Sequence, residues 1–403
     1  MTSTHPALIG LWLVIPLGSI AAQVPTRPLS RVEARTMAAS GGPTLQVAAA
    51  DTTLGAALVR DAGLRADPTL ATSWTKSTPR YHIELSWPID LPGVRGARLR
   101  AARSSADALR LGWSAAQASA AMTADTLYLR ALESEAVAQA STADAMTARR
   151  LAELASAGVA AGETSRFDAA LAALSAERSR DQLASDSLAL HAAMLALQRA
   201  VGDSADTIHL TLTDSLAAPT AVLPSRLNAD LLAADATTLA ADEAIRSARR
   251  TRWSGTALLT GIEFGDPAVA HHELLPVIGL SLPIPLFNRG RGATAIAEAE
   301  AVRASAARTT LRRELETARV IYRAQFASAM ARLEQDAARL ATADDLERMA
   351  VQGFREGETG LPAVLEAART ARDIRVMRAH LLADAMIAAA VLEHVGLLAP
   401  AAP

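Results

Sequence analysis

The clearest pattern along the chain is an alternation of period two. In Tyr81-His82-Ile83-Glu84-Leu85-Ser86-Trp87, every odd position is apolar and every even one polar. Side chains of an extended strand point alternately to opposite faces, so this run predicts a strand with Tyr81, Ile83, Leu85 and Trp87 on one face. The same phase returns in Ile278, Leu280 and Leu282, with Val277, Gly279 and Ser281 opposite. Partner strands are predicted over about 69–76 and 256–264; in the latter, Leu258, Ile262 and Phe264 share one side and Gly261 and Glu263 the other. Two hairpins result, from strands over about 69–76 and 81–90 and over about 256–264 and 274–286.

Between the strands the pattern becomes Ala-rich and helical. Helical stretches are predicted over about 29–66 (interrupted at Gly41-Gly42-Pro43) and 224–251. Very long ones follow over about 95–156 and 291–351, then returning helices over about 165–201 and 361–396. Roughly 62 residues at about 1.5 Å each make a rod of about 90 Å, outside the usual range of globular helices. Each rod turns back through a Gly-flanked tip, so the hairpins run 95–201 and 291–396.

The chain repeats itself. Gly158-Val159-Ala160-Ala161-Gly162-Glu163-Thr164 returns as Gly353-Phe354-Arg355-Glu356-Gly357-Glu358-Thr359, and Pro88-Ile89-Asp90-Leu91 as Pro283-Ile284-Pro285-Leu286, both at an offset of 195. A period this long means duplication of a whole structural half. The predicted organisation is a first repeat over 22–202, a linker with one short strand over 203–223, where Ile208, Leu210 and Leu212 alternate, and a second repeat over 224–403.

Composition sharpens this picture. The chain has 403 residues, 50% hydrophobic but 3% aromatic, as suits closely packed helices better than one thick core. Its formal charge of -2 leaves no sign of a nucleic-acid partner. The absence of Cys excludes disulfides, thiolate metal sites and a lipidated N-terminal Cys. The apolar run Ala7 to Leu17, followed by Ser19-Ile20-Ala21, predicts a secretory signal peptide over 1–21, although Met1 to Pro6 lacks a basic residue. No later stretch is apolar enough for a membrane helix, so a membrane position would require the strands. Four strands cannot close alone; three copies would supply twelve, within the range of transmembrane barrels. Ile83, Leu85, Trp87, Ile278, Leu280 and Leu282 would then face lipid, and Trp74 and Trp87 would lie near the interfaces.

At these residues the chain resembles the TolC-like outer-membrane efflux proteins, and is similar to their branch serving heavy-metal cation exporters (CzcC-like). Ala62-Gly63-Leu64-Arg65-Ala66-Asp67-Pro68-Thr69-Leu70 resembles the family's approach to its first strand, with Ala66 and Asp67 in place of the usual Pro and Asn. Leu280 to Gly292 matches its most recognisable segment, where a strand leaves the barrel and becomes a tunnel helix; Trp87 to Gly96 matches less closely. The resemblance implies a mainly α protein with a membrane β-barrel portion: a homotrimer with a twelve-strand barrel in outer-membrane lipid and a twelve-helix periplasmic tunnel. It further implies a periplasmic adaptor (membrane fusion) protein and an inner-membrane pump of the RND type, and so the channel component of a tripartite efflux system. The alternative is a periplasmic coiled-coil adaptor or scaffold without a barrel, which has no need of two amphipathic hairpins of membrane length.

Candidate chemistry is sparse. Gly158, Gly162, Gly353 and Gly357 end helices and permit tight turns. Val159, Glu163, Thr164, Phe354, Glu358 and Thr359 complete the tips, where the resemblance implies adaptor docking; Glu163 and Glu358, beside the threonines, are expected to cap the returning helices. Asp168 and Glu366 lie one turn into those helices and read as a solvated helix face; the alternative is a carboxylate ring at the tunnel entrance, formed by three copies of either. His271-His272-Glu273 reads as a solvated loop and Glu393-His394 as surface. No Gly-x-Ser-x-Gly or other nucleophile motif occurs, so no catalytic, cofactor or metal residue is assigned.

Overall fold

The computed structural model describes residues 26–42, 44–202, 209–219, 227–265, 274–284 and 286–396. The predicted signal peptide, His271-His272-Glu273 and much of the linker lie outside these residues. Among these residues there are seven helices: α1 (Arg31–Gly41), α2 (Leu45–Gly63), α3 (Val94–Ala161), α4 (Arg166–Val201), α5 (Ala229–Thr251), α6 (Arg291–Arg355) and α7 (Leu361–Val395). With 68 residues, α3 is about 100 Å long. None of the described helices is apolar enough to cross a membrane.

The strands are β1 (Thr26–Leu29), β2 (Thr69–Trp74), β3 (Tyr81–Pro88), β4 (His209–Leu212), β5 (Ala257–Phe264) and β6 (Leu275–Ser281). β3, β5 and β6 are shorter than expected at their helix-side ends and β2 at its turn end; Leu282, expected on β6, lies just beyond it. The chain before α1, read as helix from about residue 29, opens instead as β1. That strand pairs in parallel with β4, Leu29 opposite Leu212. β1 is too short, and too interrupted by Pro28, to show a period in the sequence; its partner lies 183 residues away. The pair closes the waist, where Leu29 and Leu210 join Tyr128, Leu129, Leu197 and Met386 in a core.

β2, β3, β5 and β6 form one antiparallel sheet in that order, so the two repeats share a single sheet, joined at β3 and β5. The helices repeat the order. Nearest the sheet, α2 packs on α3, α3 on α5 and α5 on α6; towards the far end the order is α4, α3, α7, α6. α6 is an edge throughout, with α2 and then α4 at the opposite edge. A second core, of Leu151, Ala155, Ala172, Leu361, Val364 and Leu365, ties both hairpins together near their tips.

Candidate functional site

The sheet sorts its residues by chemistry. Tyr81, Ile83, Leu85 and Trp87 pair across to Phe264, Ile262, Thr260 and Leu258. Thr260 and Leu258 pair in turn with Ile278 and Leu280. All six residues expected to face lipid lie on or continue this one apolar face. Ile278 is 81% exposed and Leu280 60%, so nothing in a single copy covers it. The opposite face carries every Glu and His among the described strands of this sheet. There His82 Nδ1 lies 3.0 Å from Glu263 Oε1 across β3 and β5, and Glu84 follows two residues on. Trp87 donates from Nε1 to Thr260 Oγ1 at 2.9 Å. At the turn end, Trp74, Tyr81 and Phe264 fall in one cross-strand row, with the Tyr81 and Phe264 rings stacked at 5.0 Å. Tyr81 and Phe264 thus join Trp74 in an aromatic row; the cross-strand pairing that assembles it is not visible in sequence spacing.

The tips show why one motif occurs twice. The Gly158 carbonyl accepts from Glu163 N at 2.8 Å and Thr164 N at 3.2 Å; the Gly353 carbonyl accepts from Glu358 N at 2.7 Å and Thr359 N at 3.1 Å. A Cβ on Gly158 would lie 2.3 Å from Thr164 Oγ1, and one on Gly353 2.4 Å from Thr359 Oγ1. Gly162 and Gly357 take φ of 79° and 76°, a left-handed conformation in which side chains are strained. The glycines, then, accommodate the threonines and the reversal of the chain.

Two expectations about the ends of the helices need correction. Glu163, Thr164, Glu358 and Thr359 cap neither returning helix. Ser165 caps α4, accepting from Asp168 N at 3.0 Å, while Gly360 precedes α7 without a side-chain cap. Phe354 is half-buried against the tip core and Val159 is half-buried; Glu163 and Glu358 remain exposed. Asp168 is held by the Ser165 hydroxyl at 2.7 Å, whereas Glu366 is exposed. Glu393 pairs with Arg35 at 3.1 Å. His394, read as surface, is mostly covered, its Nε2 3.3 Å from Asp230, because α7 ends against the start of α5.

Two ionic assemblies escaped sequence reading because their partners are far apart in the chain. At the waist, Arg31 bonds Asp125, which is 2% exposed, at 2.5 and 3.0 Å; this bond is the main cause holding the Arg31 guanidinium above its ordinary pKa. The Tyr128 hydroxyl lies 2.8 Å from Asp214 Oδ2 and 3.0 Å from the Leu29 carbonyl. Burial, reinforced by Asp214, pushes the phenol up to about 12. Along α7, Arg369 reaches Ser175, Arg372 reaches Ser141 and Asp186, Arg375 reaches Asp344 and Glu347, and Arg378 reaches Asp336. Spaced by three, these arginines tie α7 to α3, α4 and α6. Their recurrence every three residues is the one signal that the sequence carried. Among the described residues no group of His, Cys, Asp and Glu is arranged to hold a metal ion.

Comparison with known proteins agrees with this architecture. Residues 32–203 match the family described as outer membrane efflux protein. The cobalt-zinc-cadmium resistance protein CzcC of Cupriavidus metallidurans is 26% identical over 337 residues, 81% of this chain and 79% of that protein. The Campylobacter jejuni CmeC outer membrane channel superposes with a TM-score of 0.76 at 14% identity, over 91% of this chain and 85% of that one. The outer membrane protein VceC of Vibrio cholerae superposes with a TM-score of 0.72 at 19% identity, over 91% of this chain and 95% of that one. The matched segment, the relative along most of the chain and the shared fold agree: this chain is similar to the outer membrane efflux proteins.

Proposed function

We propose that this protein is the outer-membrane channel of a tripartite efflux system: a passive conduit, long helices in the periplasm, that receives substrate from an adaptor and an inner-membrane pump. The observation that carries the reading is the coincidence of open edges. β2 and β6 each have one unpaired edge on a sheet with an exposed apolar face, and in lipid every backbone group needs a partner. Strand directions alternate along the sheet, so β6 of one copy would meet β2 of the next in antiparallel fashion. That head-to-tail contact closes a ring, and three copies give twelve strands.

The helices support closure at the same edges. On α4, Phe167, Leu174, Leu188 and Leu195 are exposed at spacings of seven or fourteen, a coiled-coil period. On α6, the opposite edge, Leu346 and Met349 are exposed beside the small residues Ala338 and Thr342. Nearer the sheet, Val47, Leu54 and Leu58 of α2 are exposed in the same way. The cargo we propose is heavy-metal cations, by analogy with the CzcC relative. The exposed Glu163 and Glu358 at the tips are proposed to contact the adaptor, with Gly158, Gly162, Gly353 and Gly357 shaping the turns; Asp168 and Glu366 are proposed to line the tunnel entrance.

The chain has no Cys, so introduced pairs report without background. Leu174 and Leu346 lie nearly equally far from their tips, on helices at opposite edges of one copy, separated by α3 and α7. Leu174→Cys combined with Leu346→Cys should crosslink copies into covalent trimers under mild oxidation in outer-membrane fractions. Monomer alone in the soluble periplasmic fraction would overturn the reading.

A further inference from the structure

The four segments joining sheet to helices concentrate positive charge. In residues 60–68, 89–98, 249–256 and 282–291, nine arginines stand against three aspartates, in a chain whose net charge is -2. Three of the nine are committed within the fold. Arg95 and Arg98 donate to the Gly63 and Ala62 carbonyls at the end of α2, at 2.7 and 3.0 Å, and Arg249 pairs with Glu298 at 3.0 Å. The other six, Arg60, Arg65, Arg250, Arg252, Arg289 and Arg291, are exposed and pair with no carboxylate among the described residues.

These segments meet in space. A Cβ on Gly93 would lie 3.5 Å from Arg250 Nη1, and one on Gly290 would lie 3.0 Å from Arg252 Cβ. The arginines therefore form a collar where the strands end and α3 and α6 begin. Neither helix has an acid in its first turn, so their positive dipole ends add to the collar rather than being offset by it.

Immediately beside the collar lies bare apolar surface. Phe287 is 94% exposed, Ile284 75% and Leu286 63%, in the segment that follows the strand carrying Ile278 and Leu280. Trp253 is exposed at the same level, with Arg252 Cζ 5.6 Å from its ring centre. An apolar face that ends in Trp and Phe and then in unpaired guanidinium groups has the order of a membrane interface: acyl chain, headgroup boundary, phosphate.

We propose that this collar binds the phospholipid headgroups of the leaflet that faces the helices, with Arg250, Arg252, Arg289 and Arg291 on the phosphates and Trp253 and Phe287 seated at the boundary. The inference rests on the barrel reading above. Charge selects lipid over a second copy as the occupant: a ring would bring collars of the same sign side by side, and an anionic headgroup relieves that repulsion. Guanidinium forks match phosphate oxygens in geometry as well as in charge.

The test uses the full-length assembly, purified in a nonionic detergent and titrated with dioleoylphosphatidylglycerol or dioleoylphosphatidylcholine, with bound lipid counted by native mass spectrometry. The wild type should retain phosphatidylglycerol about tenfold better. R250Q/R252Q and R289Q/R291Q should each reduce that preference by at least about threefold, with trimer mass and heat-modifiable mobility unchanged. Equal retention of both lipids by the wild type overturns the proposal, as do double variants that keep the full preference. Displacement of phosphatidylglycerol by millimolar inorganic phosphate would mean a site for the bare ion and would overturn the lipid assignment. Failure of the barrel reading itself would be seen separately, as no oligomer and no conductance in a planar bilayer.

Discussion

Two residues set the terms on which the chain folds. Tyr128 is fully buried and its hydroxyl sits between Asp214 and the Leu29 carbonyl, joining the waist strands to the middle of α3. Tyr128→Phe removes that group and leaves Asp214 without it, at a cost of about 1–3 kcal/mol in thermal or denaturant unfolding. The same phenol links stability to pH. Its folded value, about 12, lies above the ordinary 10.0, so its contribution is fully present below pH 10 and is lost as pH rises towards 12. Ultraviolet titration should find Tyr128 ionising well above its ordinary value, and Tyr128→Phe should flatten the loss of stability in that window. At the tips, Gly158→Ala would place a methyl 2.3 Å from Thr164 Oγ1. It should destabilise by about 1–3 kcal/mol, and Thr164→Ala in the same chain should recover part of the loss. Additive losses in thermal melts would mean that the two side chains do not meet.

For the strands, the question is which face meets lipid. Leu280 lies on the apolar face and Gly279 on the face of His82, Glu84 and Glu263. Ile278→Arg, in the middle of that face, should cost roughly 2–4 kcal/mol of barrel stability, and Leu280→Arg, in the row of Trp87, less, both measured by unfolding in lipid. Gly279→Arg should be milder, since a Cβ there meets only Leu259, at 3.6 Å. If Gly279→Arg blocks assembly while Leu280→Arg does not, the sheet is inverted. The α4 stripe gives a second test. Leu174→Asp with Leu188→Asp should leave the helix intact, because both side chains are exposed in a single copy, yet should abolish trimers in heat-modifiability gels. Retained trimers would place the seam elsewhere.

For the whole molecule, the two repeats are distinguishable in sequence but not in space. They share one sheet, and α3 touches helices of both repeats, so neither half buries its core alone. The proposed ring would add a further level, in which α6 and β6 of one copy cover α2, α4 and β2 of another. A ring built that way presents six tips. Phe354 packs into the tip core, so replacing it would disturb the hairpin as well as any docking surface. The exposed acids test docking cleanly: Glu163→Arg with Glu358→Arg should leave trimers and melting temperature unchanged while abolishing crosslinks to the adaptor and export. Normal export by that variant would assign the tips a structural role only.

The sequence by itself determined whatever depends on local period. Alternation at Tyr81–Trp87 and at Ile278–Leu282 placed the apolar face, and register kept it, because a one-residue slip would turn every side chain over. The offset of 195 located both tips, since each needs the same Gly, Gly and Thr to reverse a helix. Only the tertiary structure decided matters of partner and end. β1 exists because β4 is there to pair with it across the waist. The cap of α4 falls to Ser165 rather than Glu163 because Ser165 stands directly before Arg166, its hydroxyl in reach of Asp168 N, while Glu163 and Thr164 belong to the turn held by the Gly158 carbonyl. Phe354 turned inward because the last turn of α6 meets α7. The arginine collar, scattered through four segments in the chain, became one surface only when the strands brought their helix-side ends together: charge of like sign far apart in sequence carries no local signal, and its meaning lies in what stands beside it.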